Sequence, residues 1–80
     1  MLEVFVFAGL AEKVGAASVR LEVNAPIKVS EMKRTFATMF PETADQLPGC
    51  FAAVNQSYVD DDAIIQTGDE VALIPPVSGG

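Results

Sequence analysis

Eighty residues with 50% hydrophobic and 20% charged side chains and a net charge of −6 have the composition of one small folded domain and not of a disordered chain. Eleven acidic against five basic residues leave no basic footprint for nucleic acid; the absence of histidine and the lone Cys50 exclude an internal disulfide, the common zinc sites and Ser-His or Cys-His nucleophile pairs. No apolar run approaches the roughly 18 residues of a membrane-spanning helix, and residues 1–3 open directly into a strand pattern, which predicts a cytoplasmic protein without a membrane partner. The acidic balance fits either plain solubility or steering towards a basic protein partner.

Residues 2–8 place Leu2, Val4, Val6 and Ala8 on one face and Glu3, Phe5 and Phe7 on the other. Both faces are largely apolar, so a central strand covered on at least one side is predicted. Residues 9–17 read as a loop or a short helical turn. Residues 18–23 alternate polar and apolar, as in a half-buried strand that forms an antiparallel hairpin with the first. After Pro26 the period changes: Val29, Met32, Phe36, Met39 and Phe40 fall on one stripe of a helix that ends at Pro41. Its start is open between Ser30, the best capping side chain, and Val29, which fits the stripe. The methionines read as core filler.

Residues 41–49 form a loop able to hold one turn of helix. Residues 50–55 predict a third strand, in which Cys50 is a small buried hydrophobe in preference to a reactive thiol. Residues 55–57 make a tight turn into Tyr58 and Val59. Asp60-Asp61-Asp62 lacks the spacing of a calcium loop and reads as a solvated stretch. Residues 63–65 pack inward, 67–69 turn, and 70–74 form the last strand. Strands flanking one helix, with an opening hairpin and a last strand beside the first, predict an α+β domain of the ubiquitin-like β-grasp type, its mixed sheet crossed by one main helix. The domain spans residues 1–75, and residues 76–80 form a flexible tail.

Pro75 and Pro76 hold the backbone extended and project the chain out of the last strand. Val77 and Ser78 add reach. Gly79 and Gly80 make the thinnest backbone available, able to bring a main-chain carboxylate into a narrow channel. The alternative is a flexible end with no chemistry.

Ala53-Val54-Asn55-Gln56, then Gly68-Asp69-Glu70-Val71-Ala72, then Pro75-Pro76-Val77-Ser78-Gly79-Gly80 occur in the order and spacing that resemble the MoaD family of sulfur carriers, the small subunits of molybdopterin synthase. Val4-Phe5-Val6-Phe7-Ala8, with Glu12 and Gly15, looks like that family's first strand and loop. Ala11 departs from the arginine that members often carry there, which touches a loop contact and not the tail. The resemblance implies that an E1-like enzyme uses ATP to adenylate the carboxylate of Gly80 and that a sulfur donor converts it to a thiocarboxylate. The large synthase subunit then takes the tail and passes the sulfur to cyclic pyranopterin monophosphate. Gly79 keeps that approach narrow, and residues 76–80 span roughly 17 Å when extended. No permanently bound cofactor is implied, ATP belonging to the activating enzyme. A heterotetramer with the large subunit is also implied.

Phe7, Tyr58 and Ile74 fall where the family's apolar partner-binding positions would be, and Pro75, Pro76, Val77 and Ser78 complete the expected contact set. The residues themselves leave open whether Phe7 and Ile74 belong to the core or to an interface. Three other roles stay open: a β-grasp carrier feeding thiamine or tungsten-cofactor assembly, a ubiquitin-type modifier joined through Gly80 to lysines, and a purely structural binding module that would tolerate removal of Gly79 and Gly80.

Overall fold

Strict alternation in Leu2–Val6 (β1) turns Leu2, Val4 and Val6 into the core and leaves Glu3 and Phe5 outward. The computed structural model, which describes residues 1–76, continues with α1 (Ala8–Val14), β2 (Ser18–Leu21), β3 (Ile27–Lys28), α2 (Val29–Met39), β4 (Phe51–Val54), β5 (Ser57–Val59), β6 (Ile64–Ile65) and β7 (Val71–Ile74). Short 3-10 turns occupy Pro41–Thr43 and Leu47–Gly49. Five strands form one mixed sheet in the order β2-β1-β7-β4-β5, in which only the β1–β7 pair is parallel. Helix α2 lies across the inner face, where its fully buried Val29, Met32 and Phe36 meet Val4, Leu21, Ile65, Val71 and Leu73. This is the predicted ubiquitin-like β-grasp.

The first strand is shorter than its apolar pattern. Phe7 is still extended, with φ −137°, but Ala8 sits at φ 53° and turns the chain into α1. Ala8 is therefore exposed and not on the inner face with Val6. Burial of Leu10 anchors α1, which stops at Gly15, whose φ of 75° is a conformation that costs a residue with a Cβ. Strand β2 likewise ends at Leu21, leaving Val23 half-buried.

Helix α2 starts at Val29, without a capping hydroxyl. Its free N–H groups are met by another part of the chain: Val29 N donates to Ala63 O at 3.0 Å and Ser30 N to Asp61 O at 3.0 Å. The Lys28 N–H adds a longer bond, 3.4 Å, to Glu31 Oε1. The strand β3 before the helix pairs with β6, Ile27 opposite Ile65 and Lys28 opposite Ile64. This two-stranded sheet corrects the expectation that residues 63–65 all face inward, because alternation buries Ile65 completely and leaves Ile64 45% exposed. The helical stripe needs a similar correction at its end: Met39 is exposed, while Phe40 is half-buried against Phe36 at a ring separation of 5.2 Å.

Lys33 occupies a position that the stripe did not assign. Its side chain runs through the core edge, and Nζ donates to Cys50 O at 2.8 Å and pairs with Asp61 Oδ1 at 2.9 Å. The acidic run is therefore solvent-exposed yet tied down, with Asp60 Oδ1 also accepting the Asp62 N–H at 3.1 Å. Cys50 is buried, as expected, and its thiol donates to Gln46 O at 3.3 Å. Burial pushes that thiol's pKa up, partly opposed by the positive charge of Lys33.

At the β4–β5 hairpin both turn residues are left-handed, Asn55 at φ 53° and Gln56 at φ 70°. Asparagine tolerates this and also bridges to the last strand: Oδ1 accepts the Glu70 N–H and Nδ2 donates to Asp69 Oδ1, both at 3.0 Å. Asp69 Oδ2 in turn accepts the Gln66 N–H at 2.8 Å. These bonds, the one from Gln66 first and that from Asn55 second, hold the Asp69 carboxyl below its ordinary value.

Replacing Lys33 by Met keeps the stem and removes the charged donor, and should lower unfolding free energy by about 2 kcal/mol in urea titrations. A depressed carboxyl stabilises the fold above its ordinary pKa of 3.8, and that contribution disappears as pH falls through the lower folded value. Asp69→Asn should therefore flatten the acid limb of a stability-against-pH curve and change its shape little near neutrality.

Candidate docking face and tail root

Helix α2 covers one face of the sheet, and register decides what the other face carries. Phe5 of β1 stands opposite Ala72 of β7, Ala72 opposite Ala53 of β4, and Ala53 opposite Tyr58 of β5. In the next row Ile74 stands opposite Phe51. All of these side chains point away from α2. At the far end the row becomes polar: Glu3 faces Arg20, and Ser18 Oγ donates to Glu3 Oε2 at 3.1 Å.

The outer face is thus an apolar surface left largely open. Phe7 is 50%, Phe51 56% and Tyr58 72% exposed, too much aromatic area in one place for scattered surface residues. Phe51 and Tyr58 pack in a tilted pair with centroids 5.9 Å apart. Phe7, Tyr58 and Ile74, which the sequence reading singled out, line one depression of about 260 Å³ floored by Ala53 and Ala72. Ile74 is half-buried, so it belongs to the sheet surface and not to the core beneath α2. Phe51 was not picked out. Its signal was available: two residues before Ala53 in a strand, it shares that residue's face, and Tyr58 across the turn marks the same side.

Strand β7, flanked by β1 and β4, delivers the chain to the edge of this face. Pro75 is half-buried and Pro76 exposed, and the Pro76 ring stands over Gly49, where a Cβ would lie 3.8 Å from Pro76 Cγ. Beside them a hollow of about 570 Å³ is lined by Gly9, Asp45, Gln46 and both prolines. Val77, Ser78, Gly79 and Gly80 lie outside the described residues. The acidic residues Asp60, Asp61 and Asp62 border the apolar face from the other side, sharing a hollow with Phe51 and Tyr58. Among the described residues no group of three His, Cys, Asp or Glu side chains is placed to hold a metal ion, and no helix is long and apolar enough to cross a membrane. The described side chains build a surface and an exit, and the one thiol among them is sequestered under Lys33.

Comparison with known proteins agrees with this arrangement. The molybdopterin synthase sulfur carrier subunit of Homo sapiens is 39% identical over 82 residues, covering 99% of this chain and 93% of that protein. Among solved structures, SAMP1 of Haloferax volcanii, small archaeal modifier protein 1, superposes with a TM-score of 0.82 at 28% identity over 98% of this chain and 97% of its own. A subunit in the complex of subunits 1 and 2 of the molybdopterin-converting factor from Helicobacter pylori shares the fold, with a TM-score of 0.65 at 24% identity over 98% of this chain and 96% of its own. The ThiS family model matches residues 4–80, so the chain belongs to the ThiS family and, within it, to the molybdopterin synthase sulfur carriers.

Proposed function

We propose that this chain carries sulfur as a thiocarboxylate on Gly80 and delivers it, as the small subunit of molybdopterin synthase, to cyclic pyranopterin monophosphate. The observation that carries the reading is the family match running through Gly80, joined to a fold that aims β7 and its two prolines out of the sheet beside an open apolar face. A carboxylate is a poor acyl donor. Attack of its oxygen on the α-phosphorus of ATP, with loss of pyrophosphate, gives an acyl-adenylate in the activating enzyme's site, and a sulfur nucleophile then displaces AMP. Gly79 and Gly80, with no Cβ, let both enzymes approach the acyl carbon closely. ATP belongs to the activating enzyme, and no cofactor needs to reside on this chain.

The large subunit is the partner we assign to the apolar face. Phe7, Phe51, Tyr58 and Ile74 surround the point where the tail leaves, so a protein covering them receives Pro75, Pro76, Val77 and Ser78 at the mouth of its own site. The acidic border suits a basic rim on that partner. A cytoplasmic setting, where the activating enzyme and ATP are at hand, follows from the same reading.

The likeness to a small archaeal modifier protein favours a second outcome for the same adenylate, attack by a lysine amine to give an isopeptide. Intact-mass measurement separates the two. With ATP, the activating enzyme and a sulfur donor, the chain should gain about 16 Da, the exchange of one oxygen for sulfur. Conjugates that survive reductant would instead support the modifier, and an unchanged mass with competent enzymes refutes both. A chain extended by one residue beyond Gly80 should fold normally and gain nothing.

Docking has its own test. Phe7→Asp sits on an exposed position and should change stability by no more than about 0.5 kcal/mol while weakening large-subunit binding at least about tenfold by calorimetry. Unfolding of the variant, or unchanged affinity, would remove Phe7 from the docking surface.

A further inference from the structure

Among the described residues one side-chain polar atom is shut off from solvent without a hydrogen-bond partner, Gln46 Oε1. Such an atom costs stability, and an apolar side chain of the same length would fill the space without that cost. Gln46 also sits at a telling place. Its main-chain carbonyl receives the Cys50 thiol and the Gly49 N–H, which fixes the residue against the turn before β4. Its Nε2 lies 3.8 Å from the position a Cβ would take on Gly9, and the side chain lines, together with Pro75 and Pro76, the hollow beside the tail root.

The chemistry of the tail root is one-sided. Pro75 and Pro76 have no N–H, so the tail root offers carbonyl acceptors alone, and a carboxamide N–H is their complement. The present pose of Gln46 leaves its oxygen unsatisfied, so leaving this pose forfeits little. We propose that Gln46 is a positioning residue for sulfur transfer: when a partner draws the tail out, its carboxamide swings from the orphaned pose and donates to a main-chain carbonyl of Pro75 or Pro76, fixing the direction in which the tail leaves the domain. The swing frees Oε1 to accept from solvent or partner. The inference rests on the tail being the transferring group.

Gln46→Met on the full chain keeps length and volume and removes both polar atoms, while Gln46→Glu keeps the shape and the acceptors but lacks the donor. Gln46→Met should raise the denaturation midpoint. Both variants should bind the large subunit within about twofold of the parent and lower the single-turnover rate of sulfur transfer about tenfold, the size of one lost hydrogen bond. In the parent chain the Gln46 side-chain amide resonances should shift when the large subunit or the activating enzyme is added. A purely structural residue would instead lose stability in Gln46→Met, with transfer falling no further than binding does, and that result overturns the proposal. So does a parental transfer rate in either variant. If the parent itself transfers no sulfur, the functional reading falls separately, and the amide resonances still decide: unshifted signals with bound partner overturn the role given to Gln46.

Discussion

The parallel pairing of β1 with β7 is the constraint on which the rest of the molecule depends. Val4 opposite Val71, Phe5 opposite Ala72 and Val6 opposite Leu73 place the first and last strands side by side in the middle of the sheet. Two parallel neighbours cannot be joined by a hairpin, so everything between them has to travel around the sheet and return. The excursion supplies α2, which covers one face and leaves the other bare. A tail rooted in the centre of a sheet has a fixed origin, whereas one rooted in an edge strand would move with every fraying of that edge.

The same arrangement divides labour between two kinds of residue. Leu2, Val4, Leu21, Val71 and Leu73 hold the fold and contribute nothing to the outer surface. Phe5, Phe51 and Tyr58, on the opposite face of the same sheet, contribute to the surface and are largely exposed. Because a strand has a period of two, both sets can be altered independently, and the chain can be adapted to another partner without disturbing its core.

Much of this was legible beforehand, for identifiable reasons. The opening hairpin, α2 and the final strand announce themselves through clean alternation or a helical stripe, and the Gly-Gly tail with its prolines is a local signal needing no tertiary context. What escaped depends on distant parts of the chain. Lys33 looks like a solvated helix residue until Cys50 O and Asp61 are brought to it. The pairing of β3 with β6 rests on two residues from each strand, too few to show a period, and so the outward turn of Ile64 was invisible. The exposed aromatic face was half legible. Phe7 and Tyr58 were named through a family resemblance, while Phe51 stayed hidden because no face had been assigned within its strand.

The way α2 begins has a further consequence, for cooperativity. Its first N–H groups bond to the main chain of residues 61 and 63, more than thirty positions away along the sequence, and not to a neighbouring side chain. A helix capped by its own serine or aspartate can form early and wait. This one has an unfinished first turn until the second half of the chain arrives, and the loop that finishes it also brings the carboxylate for Lys33. Helix and acidic loop are therefore completed together, so partial structures that would present the apolar face before the core has closed gain little stability of their own.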